Sequence, residues 1–411
     1  MEKEDMKIVI VGHVDHGKST LIGRLFFDTD SLPKEKKREI ESICKDKGKD
    51  VEFAFVMDHL EEERDQGITI DTAQTFFKTK KRNYVIIDAP GHKEFLKNMI
   101  TGASQAEVAI LIVDGHEGVQ EQTRRHAYIL SFLGIEQVIV VINKMDLVEY
   151  SEEIFENVKE KLLSFLKKIN IKSSYVIPIS SKQGDNVSKK SKSIDWYKGK
   201  TILESLDTFY KQEASNNKPL RFPVQDVYKI DDKRITVGKV ESGMLEVGEE
   251  IVFLPTKKKT KIKSIEVFEK KKGKAESGES VGITTTESIF IERGEIVCKA
   301  SESVKLSDEF KAEVFCMSKK PIKTNEEITL RCTTQEVKCS IKRVLRKINS
   351  STLKIINEDV NELKETETGE VIIKTKKPVV IEKFKEIPEL GRFVFVRNSN
   401  TVAGGIVREV I

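Results

Sequence analysis

Residues 12–19 constrain the fold of this chain most strongly, because they have the form G-x-x-x-x-G-K-S and follow an apolar run at residues 8–11. This order of strand, glycine loop and helix is typical of a phosphate-binding loop. The glycines let backbone N–H groups approach a β-phosphate, Lys18 spans the β- and γ-phosphate oxygens, and the Ser19 hydroxyl ligates Mg²⁺. We therefore predict that a nucleoside triphosphate is bound by Gly12, His13, Val14, Asp15, His16, Gly17, Lys18, Ser19 and Thr20.

A second motif, Asn143-Lys144-Met145-Asp146, predicts that the base is guanine. The Asp146 carboxylate can accept hydrogen bonds from guanine N1–H and the 2-amino group, whereas adenine offers neither donor. A site built to pair those donors rejects adenine, because the carboxylate would stay unsatisfied. We expect Lys144 to lay its stem along the base and Asn143 to tie this loop to the phosphate loop. A companion loop is either an ordinary turn or a further guanine contact, and it comprises Ser180, Ser181 and Lys182.

Two further segments have the pattern of γ-phosphate sensors. In the first, Asp88 ends a strand-like run and is expected to hold Mg²⁺ through water. Thr69, in the second, is expected to complete the Mg²⁺ shell. His92 follows Gly91 and is assigned to positioning the attacking water, with a solvated or packed imidazole as the alternative. The predicted catalytic residues are thus His92 and Lys18, the metal ligands are Ser19, Thr69 and Asp88, and the first segment adds the GTP contacts Asp88, Ala89, Pro90, Gly91 and His92.

Composition bounds the class of protein. The 71 basic and 67 acidic residues give a formal net charge of +4, too near neutral for the whole chain to be a polyanion binder. A lysine-rich stretch at residues 257–274 is interpreted as a solvated hairpin rather than an RNA surface. The five cysteines form no C-x-x-C pair, which favours reduced thiols. No apolar run is long enough for a membrane span, so we expect a cytoplasmic protein.

The chain divides into regions with different periodicity. Residues 1–212 alternate buried-strand patterns with amphipathic helices, which predicts an α/β domain with a mostly parallel, doubly wound sheet and ligand loops at the strand carboxyl ends. A small, polar stretch at 213–220 is the predicted linker. Short period-2 strands follow, and they predict two antiparallel β-barrels at 221–305 and 306–411. No second phosphate loop or nucleophile motif occurs in the barrels, so we expect them to bind rather than catalyse.

These motifs together resemble the translation-factor class of P-loop GTPases over the whole chain. Within that class the chain is similar both to elongation factor one-alpha and to the GTPase subunit of bacterial heterodimeric sulfate adenylyltransferase. Residues 88–92 and 98–102 resemble the elongation factor. The short connection after Asp114, together with residues 122–126, 143–153, 184–187, 196–197, 201–204 and 222–227, resembles the sulfate enzyme. On motif match we favour the sulfate enzyme.

The favoured resemblance implies a GTPase with GTP and Mg²⁺ as cofactors. It implies that hydrolysis drives formation of adenylyl sulfate and pyrophosphate from ATP and sulfate, with adenylyl transfer carried out by a separate small subunit in a heterodimer. The alternative resemblance implies delivery of aminoacyl-tRNA to the ribosome, and only then is a nucleic acid a partner. A third interpretation is a GTP-binding regulator without an enzymatic partner.

Overall fold

The computed structural model describes residues 4–32, 37–38, 53, 76–87, 106–210, 215–230, 233–267, 270–358 and 361–411. The chain separates into two compact units, Met1–Lys211 and Gln212–Ile411. Within the described ranges, no helix combines the length and the apolar character needed to cross a membrane.

The first unit consists of alternating strands and helices. Its strands are β1 (Asp5–Gly12), β2 (Phe76–Lys78), β3 (Asn83–Ile86), β4 (Val108–Asp114), β5 (Gln137–Asn143) and β6 (Ser173–Pro178). The helices in its described ranges are α1 (Lys18–Asp28), α2 (Glu121–Phe132), α3 (Glu152–Lys168) and α4 (Ile202–Leu206), and a 3₁₀ turn at Met145–Val148 lies between β5 and α3.

The described strands of this unit form one sheet in the order β2-β3-β1-β4-β5-β6. All neighbours pair in parallel except β2 and β3, which are antiparallel. Ile8 and Ile10 belong to the apolar cluster that contains α1 and α4, and Val9 and Val11 alternate with them and are equally buried. Both faces of the sheet are therefore covered, as a parallel sheet requires.

Local sequence signals define the helix ends. The Ser151 hydroxyl caps α3 by accepting a hydrogen bond from the Ile154 N–H at 3.3 Å, and two glutamates follow in the first turn. Thr201 and Glu204 form a reciprocal capping box at the start of α4. These caps place the loops that follow β5 and β6.

The second unit begins with a 3₁₀ turn at Ser215–Asn217 and continues as a closed barrel. Its strands are β7 (Phe222–Ile230), β8 (Lys233–Lys239), β9 (Met244–Glu246), β10 (Glu250–Leu254), β11 (Lys258–Val267), β12 (Lys270–Lys272), β13 (Lys274–Glu276), β14 (Ser280–Thr285) and β15 (Ile296–Lys299). The order β10-β15-β7-β8-β14-β11 returns to β10 through the β10–β11 pairing, so the sheet closes on itself and protects its edges.

A second barrel follows in the same unit. It contains β16 (Leu306–Cys316), β17 (Ile322–Lys323), β18 (Ile328–Cys332), β19 (Gln335–Asn349), β20 (Ile355–Glu358), β21 (Glu362–Leu363), β22 (Glu367–Val380), the helical turn α5 (Pro388–Gly391), β23 (Arg392–Arg397) and β24 (Asn400–Val410). The order β18-β23-β24-β16-β22-β19 closes through the β18–β19 pairing. Every pairing in both barrels is antiparallel.

A buried arginine joins the two barrels. Arg221 is 3% exposed, and its guanidinium lies 2.8 Å from a Glu302 oxygen and 2.5 Å from a Glu382 oxygen. Val252, Leu254, Ile296 and Cys298 of the first barrel also belong to the apolar cluster of the second. The two barrels therefore share a core as well as an ion cluster.

The predicted fold class is confirmed: an α/β GTPase domain with a mostly parallel sheet precedes antiparallel β-barrels. The predicted domain limits stay predictions. The limit at 305/306 falls between the end of β15 at Lys299 and the start of β16 at Leu306, and the predicted linker overlaps residues 211–214, which lie outside the described ranges.

Candidate nucleotide-binding site

The phosphate loop connects β1 to α1. Gly12 has no room for a side chain, because a Cβ there would lie 2.4 Å from the Ile112 carbonyl oxygen. Gly17 has φ +93, and a Cβ there would lie 2.4 Å from the Asn143 amide nitrogen. The glycines thus serve close backbone packing and the left-handed turn from which α1 starts.

Lys18 points back into its own loop. Its ammonium donates hydrogen bonds to the carbonyl oxygens of Gly12 at 3.1 Å and His13 at 2.6 Å, and burial lowers its pKa to about 8 although Asp15 opposes the shift. Val14, Asp15 and Ser19 are exposed, and Thr20 is half-buried. An ammonium at the N-terminus of α1, next to an exposed Ser19 hydroxyl, suits a phosphate and its Mg²⁺ ion.

The two loop histidines pack against each other. His16 is fully buried, its ring lies 5.1 Å from that of His13, and its Nδ1 accepts a hydrogen bond from the Asp114 N–H at 3.2 Å. Nε2 lies 3.4 Å from a carboxylate oxygen of Glu117. Burial lowers the pKa of His16, so we interpret it as a neutral ring that supports the loop.

Asn143 connects three loops. Its side chain is 1% exposed, and its amide nitrogen donates to the His16 carbonyl oxygen at 2.9 Å. Its amide oxygen accepts hydrogen bonds from the backbone N–H and the hydroxyl of Ser181, both at 2.9 Å. One buried amide therefore ties the end of β5 to the phosphate loop and to the loop after β6.

The rest of the second motif is arranged around a carboxylate that the sequence analysis did not assign to the site. Lys144 forms an ion pair with Asp114 at 2.6 Å. Met145 is fully buried. The Asp146 carboxylate is half-buried and forms no hydrogen bond or ion pair within the described part of the chain. The Asp146 carboxylate is therefore available to a ligand, and the ion pair with Asp114 fixes the orientation of the Lys144 side chain.

Asp114 is the functional residue that sequence reasoning missed. It ends β4, is 1% exposed, and lies opposite Asn143 in the β4–β5 register. Its other carboxylate oxygen accepts the N–H groups of His116 at 2.7 Å and Glu117 at 3.2 Å. Burial alone would raise its pKa, but the Lys144 hydrogen bond and these N–H groups bring the pKa below its usual range. The available signal was a lone carboxylate at the end of an otherwise apolar strand.

The loop after β6 is closed on itself. The Ser180 carbonyl oxygen accepts the Gly184 N–H at 2.7 Å, and the Ser180 hydroxyl accepts the Gln183 N–H at 3.1 Å. Ser180 and Ser181 are buried, whereas Lys182 is exposed. The structure thus brings this loop together with the second motif and the phosphate loop, the geometry needed to hold a nucleotide at both ends.

The remaining predicted residues lie outside the described ranges: Thr69, Asp88, Ala89, Pro90, Gly91 and His92. Their roles in water positioning, γ-phosphate contact and Mg²⁺ binding stay predictions.

Family models match most of the chain. The elongation factor Tu GTP-binding domain matches residues 3–212, elongation factor Tu domain 2 matches 233–298, and the GTP-eEF1A C-terminal domain-like model matches 309–408. Elongation factor 1-alpha of Pyrococcus horikoshii is 41% identical over 99% of this chain and 98% of its own length, and the counterpart from Thermococcus gammatolerans has the same values. A crystal structure of sup35 complexed with GDP has a TM-score of 0.46 at 25% identity, covering 100% of this chain and 95% of that one.

The interpretation as a sulfate adenylyltransferase subunit is wrong, because these full-length relatives are elongation factors. Some of the residues that suggested it have packing roles, and residues 143–146 belong to the nucleotide site itself. The short connection after Asp114 is a tight turn in which Gly118 has φ +72. The Asn186 side chain donates a hydrogen bond to the Pro178 carbonyl oxygen and accepts one from the Ser191 N–H, and the Trp196 indole N–H donates to the Tyr150 carbonyl oxygen. Turn lengths and packing residues of this kind vary independently of function.

The expected partner, a small adenylyl-transferring subunit, is not supported, because the same relatives are elongation factors. The guanine-type loop, the phosphate loop and the two barrels belong together in one class of protein, and the match extends over all of them. The chain belongs to the elongation factor Tu family of translation-factor GTPases, with relatives named elongation factor 1-alpha.

Proposed function

We propose that this protein is an elongation factor that carries aminoacyl-tRNA to the ribosome in its GTP-bound form. The observation that carries the proposal is the match to elongation factor 1-alpha over 99% of this chain, which includes both barrels as well as the GTPase domain. A likeness confined to the phosphate loop would leave the cargo open, because GTPase domains are shared by many functions.

The site supports the nucleotide part of this proposal. Asp146 offers a carboxylate to guanine, Lys144 is directed by Asp114, and Lys18 and Ser19 lie at the start of α1. The Ser19 hydroxyl, with Thr69 and Asp88 as its predicted companions, would hold Mg²⁺, which would neutralise phosphate charge. Lys18 is proposed to stabilise charge on the β- and γ-phosphate oxygens, and His92 is proposed to orient the attacking water.

The barrels are proposed to bind the cargo. Part of the lysine-rich stretch is neutralised by ion pairs, since Lys261 lies 3.3 Å from Glu250, Lys272 lies 2.6 Å from Glu279 and Lys274 lies 2.9 Å from Glu276. This supports a solvated hairpin there and directs the search for a tRNA surface elsewhere. The proposed location is the cytoplasm, where ribosomes translate.

Protection of the aminoacyl ester tests the proposal. The full chain is mixed with aminoacyl-tRNA and GTP, and hydrolysis of the ester bond is followed over time. Protection with GTP but not with GDP is expected, and uncharged tRNA should not compete. GTP binding without any protection would overturn the elongation-factor proposal and favour a GTP-binding regulator.

His92 is tested separately. The His92→Ala variant should bind GTP as the unmodified chain does and lose most of its turnover, because a positioned general base or water-orienting group typically contributes about 10² to 10⁴ in rate. Normal GTP hydrolysis by this variant would show that the assigned role is wrong.

A further inference from the structure

Arg24, which no sequence motif assigns to the site, lies on α1 and contacts the loop after β6. Its Nη1 donates to the Lys182 carbonyl oxygen at 3.4 Å. Gly184 lies against the guanidinium, since a Cβ there would be 2.1 Å from Nη2, and its φ is +85. The guanidinium therefore occupies space that a side chain at position 184 would need.

The arginine is itself held in place. Its Nε lies 2.8 Å from Asp28 Oδ1, one turn along α1, and the Asp28 side chain is only 8% exposed. The other carboxylate oxygen of Asp28 accepts the Ser188 hydroxyl at 2.5 Å. Helix α1 thus contacts the stretch from Lys182 to Ser188 through two of its side chains.

An aromatic ring covers the same guanidinium. The Arg24 Cζ lies 4.9 Å from the centroid of the Phe53 ring, and Phe53 is 4% exposed. Phe53 in turn packs edge-on against Phe27 of α1 at 5.4 Å, and its carbonyl oxygen lies 2.1 Å from the position that a Cβ on Gly23 would take. The ring covers one face of the guanidinium, which adds a cation–π contact.

We propose that Arg24 is a positioning residue for guanine recognition, and that it sets the orientation of the loop containing Ser180, Ser181 and Lys182. The inference rests on guanine nucleotide binding at the site described above. Asn143 fixes one side of this loop through Ser181, and Arg24 fixes the other side through the Lys182 carbonyl group. The Ser181 N–H is already donated to Asn143, so the peptide unit between these two points offers the Lys182 N–H, and in this proposal the Lys182 N–H donates to guanine O6.

Helix α1 gives this contact a second consequence. The helix starts at Lys18, in the phosphate loop, and reaches Arg24 within two turns. A rigid helix therefore relates the phosphate end of the site to the base end. Loss of Arg24 should loosen the base end while Lys18 stays in place.

The test uses two analogues of GDP that differ at one position of the base. 6-Thio-GDP changes only the O6 acceptor that the loop is positioned to read, and IDP lacks only the 2-amino group assigned to Asp146. In the full chain, Arg24→Gln should weaken GDP binding about fivefold and 6-thio-GDP binding less than twofold. The preference for GDP over 6-thio-GDP should therefore fall, while the preference for GDP over IDP stays unchanged.

Arg125 provides a matched control. Its side chain is 21% exposed, as is that of Arg24, and it forms an i,i+4 ion pair with Glu121 on α2 at 2.7 Å. Arg125→Gln should leave both preferences unchanged. Asp28→Asn, which keeps the shape of the side chain but removes its charge, should lower the same O6 preference as Arg24→Gln.

An unchanged O6 preference in Arg24→Gln and Asp28→Asn would overturn the inference, and so would an equal change in Arg125→Gln. The same binding measurements distinguish a failure of this inference from a failure of the proposed nucleotide binding. Failure of the unmodified chain to select guanine would remove the nucleotide proposal itself, whereas selective binding that ignores Arg24 would remove only this inference.

Discussion

Truncation of Asn143 should uncouple the loops of the nucleotide site. The Asn143→Ala variant loses one hydrogen bond donated to the His16 carbonyl oxygen and two accepted from Ser181, each 2.9 Å long in the unmodified chain. The site is 1% exposed, so water cannot readily replace the lost partners.

The magnitude follows from these three contacts. A hydrogen bond contributes about 1 kcal/mol net, and a buried group left without a partner costs about 1–3 kcal/mol. Three lost bonds should therefore lower the free energy of unfolding of the first unit by about 3 kcal/mol. That is a large share of the 5–15 kcal/mol typical of a domain. GDP affinity should fall by roughly a hundredfold, since the nucleotide must restore the loop arrangement.

The single tryptophan provides the assay. Trp196 lies in the first unit and packs 5.2 Å from Phe155, so its fluorescence in a urea titration reports the unfolding of that unit. Asn186 is the matched control, because it is 2% exposed and makes two side-chain hydrogen bonds away from the phosphate loop. Asn186→Gly, which suits its φ of +56, should lose about 2 kcal/mol of stability with little change in GDP affinity. A loss below about 1 kcal/mol in Asn143→Ala, or equal loss of GDP affinity in the control, would refute the reasoning.

Three further measurements test other parts of the molecule. Burial lowers the pKa of Lys18 to about 8, and bound phosphates should raise that pKa. GDP binding should therefore take up a proton near pH 9, and GDP affinity should fall as the pH rises. Calorimetry in buffers of different ionisation enthalpy measures this proton uptake, and a binding enthalpy that does not depend on the buffer would contradict the prediction. Arg221→Met removes the buried partner of Glu302 and Glu382 and should lower the unfolding free energy of the second unit by about 3 kcal/mol, measured by circular dichroism. Arg331→Met removes an exposed ion pair and should lower it by less than about 0.5 kcal/mol. Equal losses in the two variants would contradict the role of burial. Burial raises the pKa of four thiols to about 11 or 12, those of Cys298, Cys316, Cys332 and Cys339. These thiols should react with a disulfide reagent only after the chain is denatured. Rapid reaction of more than one thiol in the native protein would contradict this prediction.

Sequence reasoning succeeded where a short motif defines its own geometry. The glycine loop at residues 12–19 requires a strand before it and a helix after it, and β1 and α1 are found there. Period-2 patterns such as residues 260–265 predicted strands, and that stretch lies in β11. Local steric and burial rules act over a few residues, so they can be read without knowledge of the tertiary structure.

Sequence reasoning failed where similar residues serve packing instead of chemistry. Asn186 and Trp196 suggested a sulfate-activating enzyme, yet their side chains satisfy backbone groups in turns. The choice between two relatives with the same GTPase domain depended on agreement along the whole chain. Motif fragments carry too little of that information.

The sequence by itself determined the phosphate loop, the guanine-type motif and the order of an α/β domain and two barrels, because each depends on residues that are neighbours in the chain. The contact of Asn143 with the phosphate loop was predicted from the sequence, but only the tertiary structure showed that Asp114 directs Lys144, that Asn143 also holds the loop after β6, and that Arg24 contacts Lys182. These contacts join residues about 30 to 160 positions apart. They exist because the parallel strands bring their carboxyl ends to one edge of the sheet, an arrangement that no local pattern specifies.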